Sequence, residues 1–250
     1  MDAISIRALP SLPDVGPGDD VAQLLANAAP PDLYEGDVLV VAHKVVSKAE
    51  GRVRALDSIE PGERARALAA EHGKDPRHVQ AVLDESAELL RAAHGVLVCV
   101  TRHGLVCANA GVDQSNASRE GELILLPEDP DSSARLLREG VGAARGRRPA
   151  VVIADSFGRP WRLGQTDVAI GVAGLSPLDQ WIGRPDAYGR ELLATSIAIP
   201  DAVAAAADLV RAKDSLQPAV LVRGMERYVT SDDGPGAAAL RRQPEQDLFR

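Results

Sequence analysis

PAVVIADSFGRPWR, residues 149–162, carries an apolar strand-like run into a polar segment. The run VVIA suits a buried strand, and polar residues begin immediately after it. Asp155 and Ser156 come first, and Arg159 and Arg162 follow. Binding and catalytic residues concentrate where a loop leaves a rigid strand, so we expect a functional site at this junction.

A second junction of the same kind lies in GLVCANAGVDQSNASR, residues 104–119. Here Asp113 follows the apolar run, and Asn116 comes three residues later. We hypothesise that Asp113 and Asp155 converge on a divalent metal together with the Ser156 hydroxyl, because oxygen ligands suit Mg²⁺ or Mn²⁺. Spacing alone also fits a second interpretation, in which Asp113 closes a turn and Asp155 caps the next element.

Cations surround the proposed metal site in the sequence. Arg159 and Arg162 follow Asp155 closely, and a cation near a metal can absorb charge that develops during phosphoryl transfer. Lys44 and Lys48 follow a predicted strand at residues 38–42. This basic segment fits either a phosphate or carboxylate site or a solvated basic edge, and the segment alone does not decide between them.

Composition limits the classes of function. The chain has 250 residues and 45% apolar content, which is enough for a globular core. With 36 acidic and 28 basic residues its net charge is -8, which argues against general nucleic-acid binding. The sequence has no membrane-length apolar run and does not start like a secretory signal, so we expect a cytoplasmic protein without a membrane partner.

Periodicity and capping residues predict the other elements. Cys99 is expected to lie opposite Cys107 in a hairpin, and buried packing is favoured over redox function for this pair. No P-loop and no dinucleotide-binding fingerprint occur in the sequence. The remaining predicted strands cover residues 4–9, 122–126, 164–174 and 217–223. One predicted helix follows Asp19 or Asp20, and the others cover residues 64–72, 76–92, 129–146 and 189–213. The last of these is expected to break or kink at Pro200.

Several segments together resemble one known family, the coenzyme F420-0:γ-glutamyl ligases. They occur in the family's order between about residues 4 and 224, and they are LPSLPDVGPGDD, VLVVAHKVVSKAEGR, LVCANAGVDQSN, LLPEDPDSSARLLREGV, VVIADSFGRPWRLGQTDVAIGVAG and PAVLVRG. The resemblance implies an α+β fold with mixed sheets and flanking helices. It also implies a homodimer and a ligase domain over residues 1–228 that could divide into two subdomains. The sequence from Ser231 onward lacks periodicity, so we expect a flexible tail over residues 229–250.

The resemblance implies a reaction as well. The γ-phosphate of GTP would pass to the terminal carboxylate of F420-0, or of its dehydro form, and L-glutamate would attack the resulting acyl phosphate to form an amide. Mg²⁺ or Mn²⁺ is the implied cofactor, and K⁺ is a further candidate. Two rival hypotheses are a metal-dependent ligase or phosphotransferase for another carboxylate, and a nucleotide-binding regulatory protein.

Specific roles follow from positions that match the family. Asp113, Asp155 and Ser156 match metal ligands, and Lys48 matches a nucleotide-binding position. From their charges, and not from the resemblance, Lys48, Arg159 and Arg162 are also expected to stabilise charge that develops in the reaction. The family commonly has Ser or Thr where this chain has His43, and Thr in place of Ser156. The implied nucleotide-binding residues are Leu12, Pro13, Asp14, Val15, His43, Lys48 and Asn116.

Overall fold

A mixed five-stranded sheet forms the centre of the protein. The computed structural model describes residues 3–247. The sheet order is β1-β12-β2-β8-β9, in which β2 and β8 are parallel and the other neighbours are antiparallel. Its strands are β1 (Ser5–Ala8), β2 (Val38–Ala42), β8 (Ala150–Arg159), β9 (Arg162–Ala173) and β12 (Ala219–Arg223).

Helices cover both faces of this sheet. Leu39, Val41 and Ile153 point to a core that includes residues of α1 (Val21–Ala28) and α5 (Pro130–Arg145). The alternate residues of the same strands form a second core with α6 (Ile199–Asp208). Because side chains alternate along a strand, a sheet covered on both faces needs continuous apolar runs, which explains VLVVA in β2 and VVIA in β8.

A second group of elements has its own hydrophobic core. It includes a three-stranded sheet in the order β4-β5-β6, and the short pair of β3 with β7. We call this group the second lobe. Its elements are β3 (Val53–Ala55), α3 (Glu63–His72), α4 (Pro76–Asp84), β4 (Ser86–Ala93), β5 (Val96–Thr101), β6 (Val106–Ala108) and β7 (Glu122–Ile124).

Two further elements complete the fold. Helix α2 (His43–Ala49) follows β2 directly and leads to β3, and β10 (Leu178–Gln180) pairs antiparallel with β11 (Ser196–Ala198) between β9 and α6. Strands and flanking helices thus confirm the expected α+β class with mixed sheets. The existence of separate subdomains stays a prediction.

Several sequence-based elements are confirmed. Asp20 caps α1 by accepting from the Gln23 amide, and α5 ends at Gly146 in the left-handed conformation. Cys99 pairs directly with Cys107 across β5 and β6, and both thiols are buried. Burial raises the pKa of Cys107 to about 12, so this thiol stays protonated and serves packing, as expected.

Two predicted helices are wrong in part. Only residues 76–84 of the expected helix at 76–92 are helical, because β4 pairs with β5 in a bulged ladder and tertiary pairing overrides helix propensity. The expected helix at 189–213 begins only at Ile199, and Pro200 occupies its first turn, where a missing amide costs nothing. The preceding residues form turns and β11.

The segment after residue 229, expected as a flexible tail, contacts the rest of the chain as far as Arg241, which donates to the carbonyl oxygen of His103 in the second lobe. The buried Arg138 side chain donates to the carbonyl oxygens of Thr230 and Asp232 at 2.6 and 2.7 Å. The Asp131 carboxylate accepts from the amide of Ala237 at 2.7 Å. None of the helices within residues 3–247 is both long and apolar enough to cross a bilayer.

Candidate functional site

Strand register places His43 beside Asp155. Ala42, the last residue of β2, pairs with Ala154 of the parallel strand β8. The next residues along the two strands are therefore neighbours, and His43 Nε2 lies 3.4 Å from Asp155 Oδ1. His43 is only 2% exposed. Asp155 lies inside β8 rather than beyond its end, because the β8–β9 hairpin extends past the rest of the sheet.

Lys44 is the cation of this site. Its Nζ lies 2.5 Å from Asp113 Oδ2 and 3.0 Å from the carbonyl oxygen of Ser115. Burial acts to raise the pKa of Asp113, but hydrogen bonds from Lys44 and Ser115 lower it to about 2. The pKa of Asp155 is also lowered, because the effects of His43, the Ser156 amide and Lys44 outweigh that of burial. Both aspartates are therefore ionised at neutral pH.

The loop after β6 holds Asp113 in place. Its backbone exchanges two hydrogen bonds with Ile124, at 2.8 and 3.0 Å. Its Oδ1 accepts from the Ser115 amide at 2.9 Å, so Asp113 also closes a turn, as the alternative interpretation expected. Oδ2 accepts from the Ser115 hydroxyl at 2.7 Å and also from Lys44 Nζ, so the metal role of this carboxylate stays a prediction.

The segments expected to bind a nucleotide meet at Asp14. Its Oδ1 lies 3.1 Å from Lys48 Nζ and 3.2 Å from Ser118 Oγ. The hydrogen bonds from Lys48 and then from Ser118 lower the pKa of Asp14. The N-terminal segment, helix α2 and the loop that contains Asn116 are thereby joined at one place.

The other expected nucleotide residues differ in exposure. Leu12 and Val15 are buried, whereas Pro13 and Asn116 are exposed. Asn116 has a φ of 59°, a conformation that asparagine tolerates better than most residues. Nucleotide binding by these residues stays a prediction, because the contacts that the structure describes here join residues of the chain to one another.

The Ser156 hydroxyl faces a buried ion pair. It donates to Asp167 Oδ1 at 2.5 Å and accepts from Lys213 Nζ at 2.9 Å. The Asp167 carboxylate is fully buried and also bonds Arg211. Lys213, whose side chain is 64% exposed, lies 2.8 Å from Asp208 as well. The expected metal role of Ser156 therefore stays a prediction, because both of its hydrogen-bond directions are used here.

Arg159 and Arg162 lie at the exposed tip of the β8–β9 hairpin and pair with each other in its register. Arg159 donates to the carbonyl oxygens of Gly164 and Leu163 within the hairpin. Within residues 3–247, no hydrogen bond or ion pair connects either arginine to Asp113 or Asp155. Their expected catalytic role stays a prediction.

The oxygen donors present are compatible with a divalent cation of the Mg²⁺ or Mn²⁺ type. Asp113 and Ser115 oxygens already surround a positive charge, the Lys44 ammonium. In the described part of the chain, no group of three or more His, Cys, Asp or Glu side chains is arranged to hold a metal by itself. Mg²⁺ commonly takes only one or two carboxylates and completes its shell with water and phosphate oxygens, so this donor set fits.

The sequence did not indicate that Asp167, Arg211 and Lys213 form a charged cluster beside Ser156. Counting from the tight turn, where Arg159 pairs with Arg162, would place Ser156 opposite Gln165, but a bulge between Gly158 and Arg159 places it opposite Asp167. The bulges in the hairpin hide this register from simple counting along the sequence. Arg211 and Lys213 come from the loop after α6, whose position depends on tertiary packing.

Two cavities lie away from this site. One of about 1130 Å³ is lined by Tyr34, Arg138, Arg148 and Glu226, among others. The other, of about 460 Å³, includes Trp181. Neither is lined by Asp113 or Asp155, so the carboxylate site is defined by its charges rather than by either cavity.

Known proteins are similar to this chain over nearly its whole length. Residues 11–224 match the family described as F420-0:Gamma-glutamyl ligase. Similar proteins are each named coenzyme F420:L-glutamate ligase. The relative from Methanothermobacter thermautotrophicus is 45% identical over 251 residues, covering 99% of both chains. That from Methanopyrus kandleri is 45% identical, covering 100% of this chain and 99% of the relative. That from Haloarcula marismortui is 44% identical, covering 99% and 96%.

These matches confirm the resemblance inferred from the sequence motifs and the expected enzyme class, a ligase. They extend over nearly the full length of this chain and of its relatives. The family match covers the N-terminal segment, helix α2, the Asp113 loop and the β8–β9 hairpin. The chain therefore belongs to the F420-0:gamma-glutamyl ligase family.

Proposed function

We propose that this chain is a GTP-dependent and divalent-metal-dependent ligase of the cytoplasm. It joins L-glutamate to the terminal carboxylate of coenzyme F420-0, or of dehydro-F420-0, in coenzyme F420 biosynthesis. The observation that carries the proposal is that helix α2 contacts all three aspartates, Asp155 through His43, Asp113 through Lys44 and Asp14 through Lys48. In a chain of net charge -8, such a local set of cations and carboxylates suits a metal-bound polyphosphate.

The reaction has two steps. A carboxylate oxygen of the acceptor attacks the γ-phosphorus of GTP, the bond to the β-phosphate oxygen breaks, and GDP leaves. The glutamate nitrogen then attacks the acyl carbon, the bond to the phosphate oxygen breaks, and inorganic phosphate leaves while the nitrogen loses a proton to solvent. Two easier steps replace one difficult step, because a free carboxylate is a poor electrophile.

The residues of this chain bind and orient the reactants. Lys48, together with the segment that contains Asp14 and the loop that contains Asn116, would hold the nucleotide. Lys213 is exposed enough to turn from Ser156 toward a phosphate oxygen. Asp113 and Asp155 would hold a divalent metal, which when bound supplies positive charge that polarises the transferred phosphoryl group.

The test of this function uses the full chain with F420-0, L-glutamate, Mn²⁺ and either GTP or ATP. We expect one GDP released for each amide formed, with a product heavier by one glutamate residue. GTP binding without a glutamylated product would support a regulatory protein instead. Turnover only with another acid would support a ligase of different specificity.

Two variants test the metal site directly. Asp113→Asn and Asp155→Asn should each abolish metal-dependent turnover while leaving the far-ultraviolet circular dichroism spectrum unchanged. Asp57→Asn is the control, since the Asp57 side chain is 93% exposed in the second lobe. Wild-type activity in either site variant would contradict the metal assignment.

We also propose that the chain forms a homodimer. Large apolar side chains are strongly exposed at the β8–β9 hairpin tip and between β10 and β11, namely Trp161, Leu163, Tyr188 and Leu193. Apolar groups grouped on projecting segments commonly mark protein interfaces. Sedimentation of the wild type should give a dimer mass and that of Leu163→Asp a smaller one. A monomeric wild type would contradict the proposal.

A further inference from the structure

We propose that His43 Nε2 is a nitrogen ligand of the divalent metal beside Asp155, and that it shifts the metal preference of this chain from Mg²⁺ toward Mn²⁺ and Co²⁺. This inference rests on the metal requirement in the proposed function. It concerns which atoms hold the metal and which metal is favoured.

The first observation is that Nε2 is buried and lacks a hydrogen-bond partner. His43 is 2% exposed, and within residues 3–247 no group makes a hydrogen bond to this atom. Asp155 Oδ1 lies 3.4 Å away, but the contact does not have hydrogen-bond geometry. Leaving a buried polar atom without a partner is unfavourable, and this one lies beside a carboxylate in the candidate site.

The second observation concerns the other ring nitrogen. His43 Nδ1 lies 3.2 Å from Ser47 Oγ, one turn later in α2. If Nδ1 carries the proton and donates to Ser47, the Nε2 lone pair is left without a partner, 3.4 Å from Asp155 Oδ1. Metal-binding histidines characteristically use one ring nitrogen for the metal and donate the other to a neighbouring oxygen. Ser47 is fully buried, so this contact fixes the orientation of the ring.

The arrangement of acceptors explains why a cation should lie here. An Nε2 lone pair and a carboxylate oxygen at this separation repel each other unless a positive charge lies between them. A proton on Nε2 is one solution, and a shared divalent metal is the other. The metal satisfies both acceptors and leaves positions for Ser156, water or phosphate oxygens.

A nitrogen ligand changes the choice of metal. Mg²⁺ strongly prefers oxygen ligands, whereas imidazole binds Mn²⁺ weakly and binds Co²⁺ and later metals more tightly. Asp155 with an oxygen ligand in place of His43 would favour Mg²⁺ more. His43 thus acts as a determinant of metal specificity.

The experiment measures metal binding rather than activity. Mn²⁺ is added to the wild-type chain, with and without GDP, and pulsed electron paramagnetic resonance detects nuclei coupled to the metal. We expect coupling to a histidine nitrogen, and its pattern should change from that of ¹⁴N to that of ¹⁵N when histidine is ¹⁵N-labelled. Labelling histidine separates this signal from any guanine nitrogen, and it requires no variant.

Substitution identifies the histidine. His43→Asn keeps an amide able to reach Ser47 and removes Nε2, so we expect Co²⁺ affinity to fall by about tenfold or more with a much smaller change for Mg²⁺. His72→Asn is the matched control, because His72 Nε2 is also buried without a hydrogen-bond partner but lies in the second lobe. This control should keep both the nitrogen coupling and the Co²⁺ affinity.

Three results would count against the inference. Mn²⁺ binding without nitrogen coupling would remove His43 as a ligand and leave the metal requirement standing. Nitrogen coupling that survives in a folded His43→Asn variant would also show that His43 is not a ligand, and it would also leave the metal requirement standing. Turnover by the wild type with all divalent metal chelated would overturn both this inference and the metal requirement.

Discussion

The ammonium of Lys44 lies 2.5 Å from Asp113 Oδ2. This contact joins the first turn of α2 to the loop after β6, two segments that are distant in the sequence. It places the positive charge of Lys44 next to the Asp113 carboxylate, which is also expected to hold a metal. The ionisation of Asp113 therefore depends on Lys44.

Replacing Lys44 should raise the pKa of Asp113. In the wild type the pKa is about 2, lowered from an ordinary 3.8. Lys44→Met removes the ammonium and its hydrogen bond, so the pKa should move upward toward its ordinary range. Carboxyl ¹³C chemical shifts measured against pH report the change. Lys74→Met, in the second lobe, should leave the Asp113 titration unaltered.

The same shift predicts a change in stability with pH. A carboxyl whose folded-state pKa is lowered stabilises the fold above its unfolded pKa, and this contribution disappears as pH falls through the folded value. The relevant window therefore runs from about pH 4 down to about pH 2. Because the Asp113 side chain is 45% exposed, screening reduces the contribution to about 1 kcal/mol. The free energy of unfolding, measured with urea at several pH values in this window, should therefore fall less steeply with decreasing pH in Lys44→Met than in the wild type.

Lys48→Ala should weaken GTP binding. Lys48 Nζ is held 3.1 Å from Asp14 on the segment expected to bind the nucleotide, and a charge-assisted contact to phosphate is worth about 1.5–3 kcal/mol. The Michaelis constant for GTP should therefore rise by about tenfold or more. Lys74→Ala serves as the control. An unchanged constant and rate would show that Lys48 only anchors Asp14.

Asp167 should be essential for stability. Its carboxylate is fully buried and bonds both Arg211 and Ser156. Asp167→Ala leaves Arg211 with a long 3.8 Å contact to Asp208 in place of its close partner, and removing one partner of a buried pair costs about 3–5 kcal/mol. Guanidinium unfolding measures the loss. Glu60→Ala breaks the exposed contact with Arg66 at 3.5 Å and should cost less than about 1 kcal/mol, whereas an equal cost for both variants would contradict the argument.

Local patterns predicted the main sheet well because its strands carry strong signals. The runs VLVVA and VVIA lie in β2 and β8 as expected, since buried strands need continuous apolar residues. The helix at 76–92 was wrong because Leu89 and Leu90 suit a helix as well as a strand, and only pairing with β5 decides. Local propensity cannot report a partner strand that is formed elsewhere in the chain.

The site was predictable to the extent that it follows strand ends. The positions of Asp113 and Asp155 beside apolar runs suggested convergence, and both contact α2 residues. The pairing of Ser156 with Asp167 was not predictable, because a bulge shifts the register of the hairpin. The direction of the Arg159 side chain could not be predicted from the sequence either, because it depends on the shape of the hairpin turn.

Gly171→Ala should destabilise the protein strongly. A methyl group on Gly171 would lie 2.1 Å from the carbonyl oxygen of Pro130 and 2.5 Å from its carbonyl carbon. These are backbone atoms at the start of α5, so relief requires the helix to move away from β9. Overpacking of a tight contact costs about 1–3 kcal/mol and occasionally more. Urea unfolding should therefore give a lower midpoint for this variant.

Gly158→Ala is the matched control for that measurement. Gly158 lies in the same hairpin, and a methyl group there would meet no atom within 4 Å. Alanine should change stability there by less than about 1 kcal/mol, because it only reduces the freedom of the unfolded chain. Equal midpoints for the two variants would show that α5 can shift freely. A loss confined to Gly171→Ala would show that close contact between α5 and β9 holds the helix against the sheet that carries Asp155.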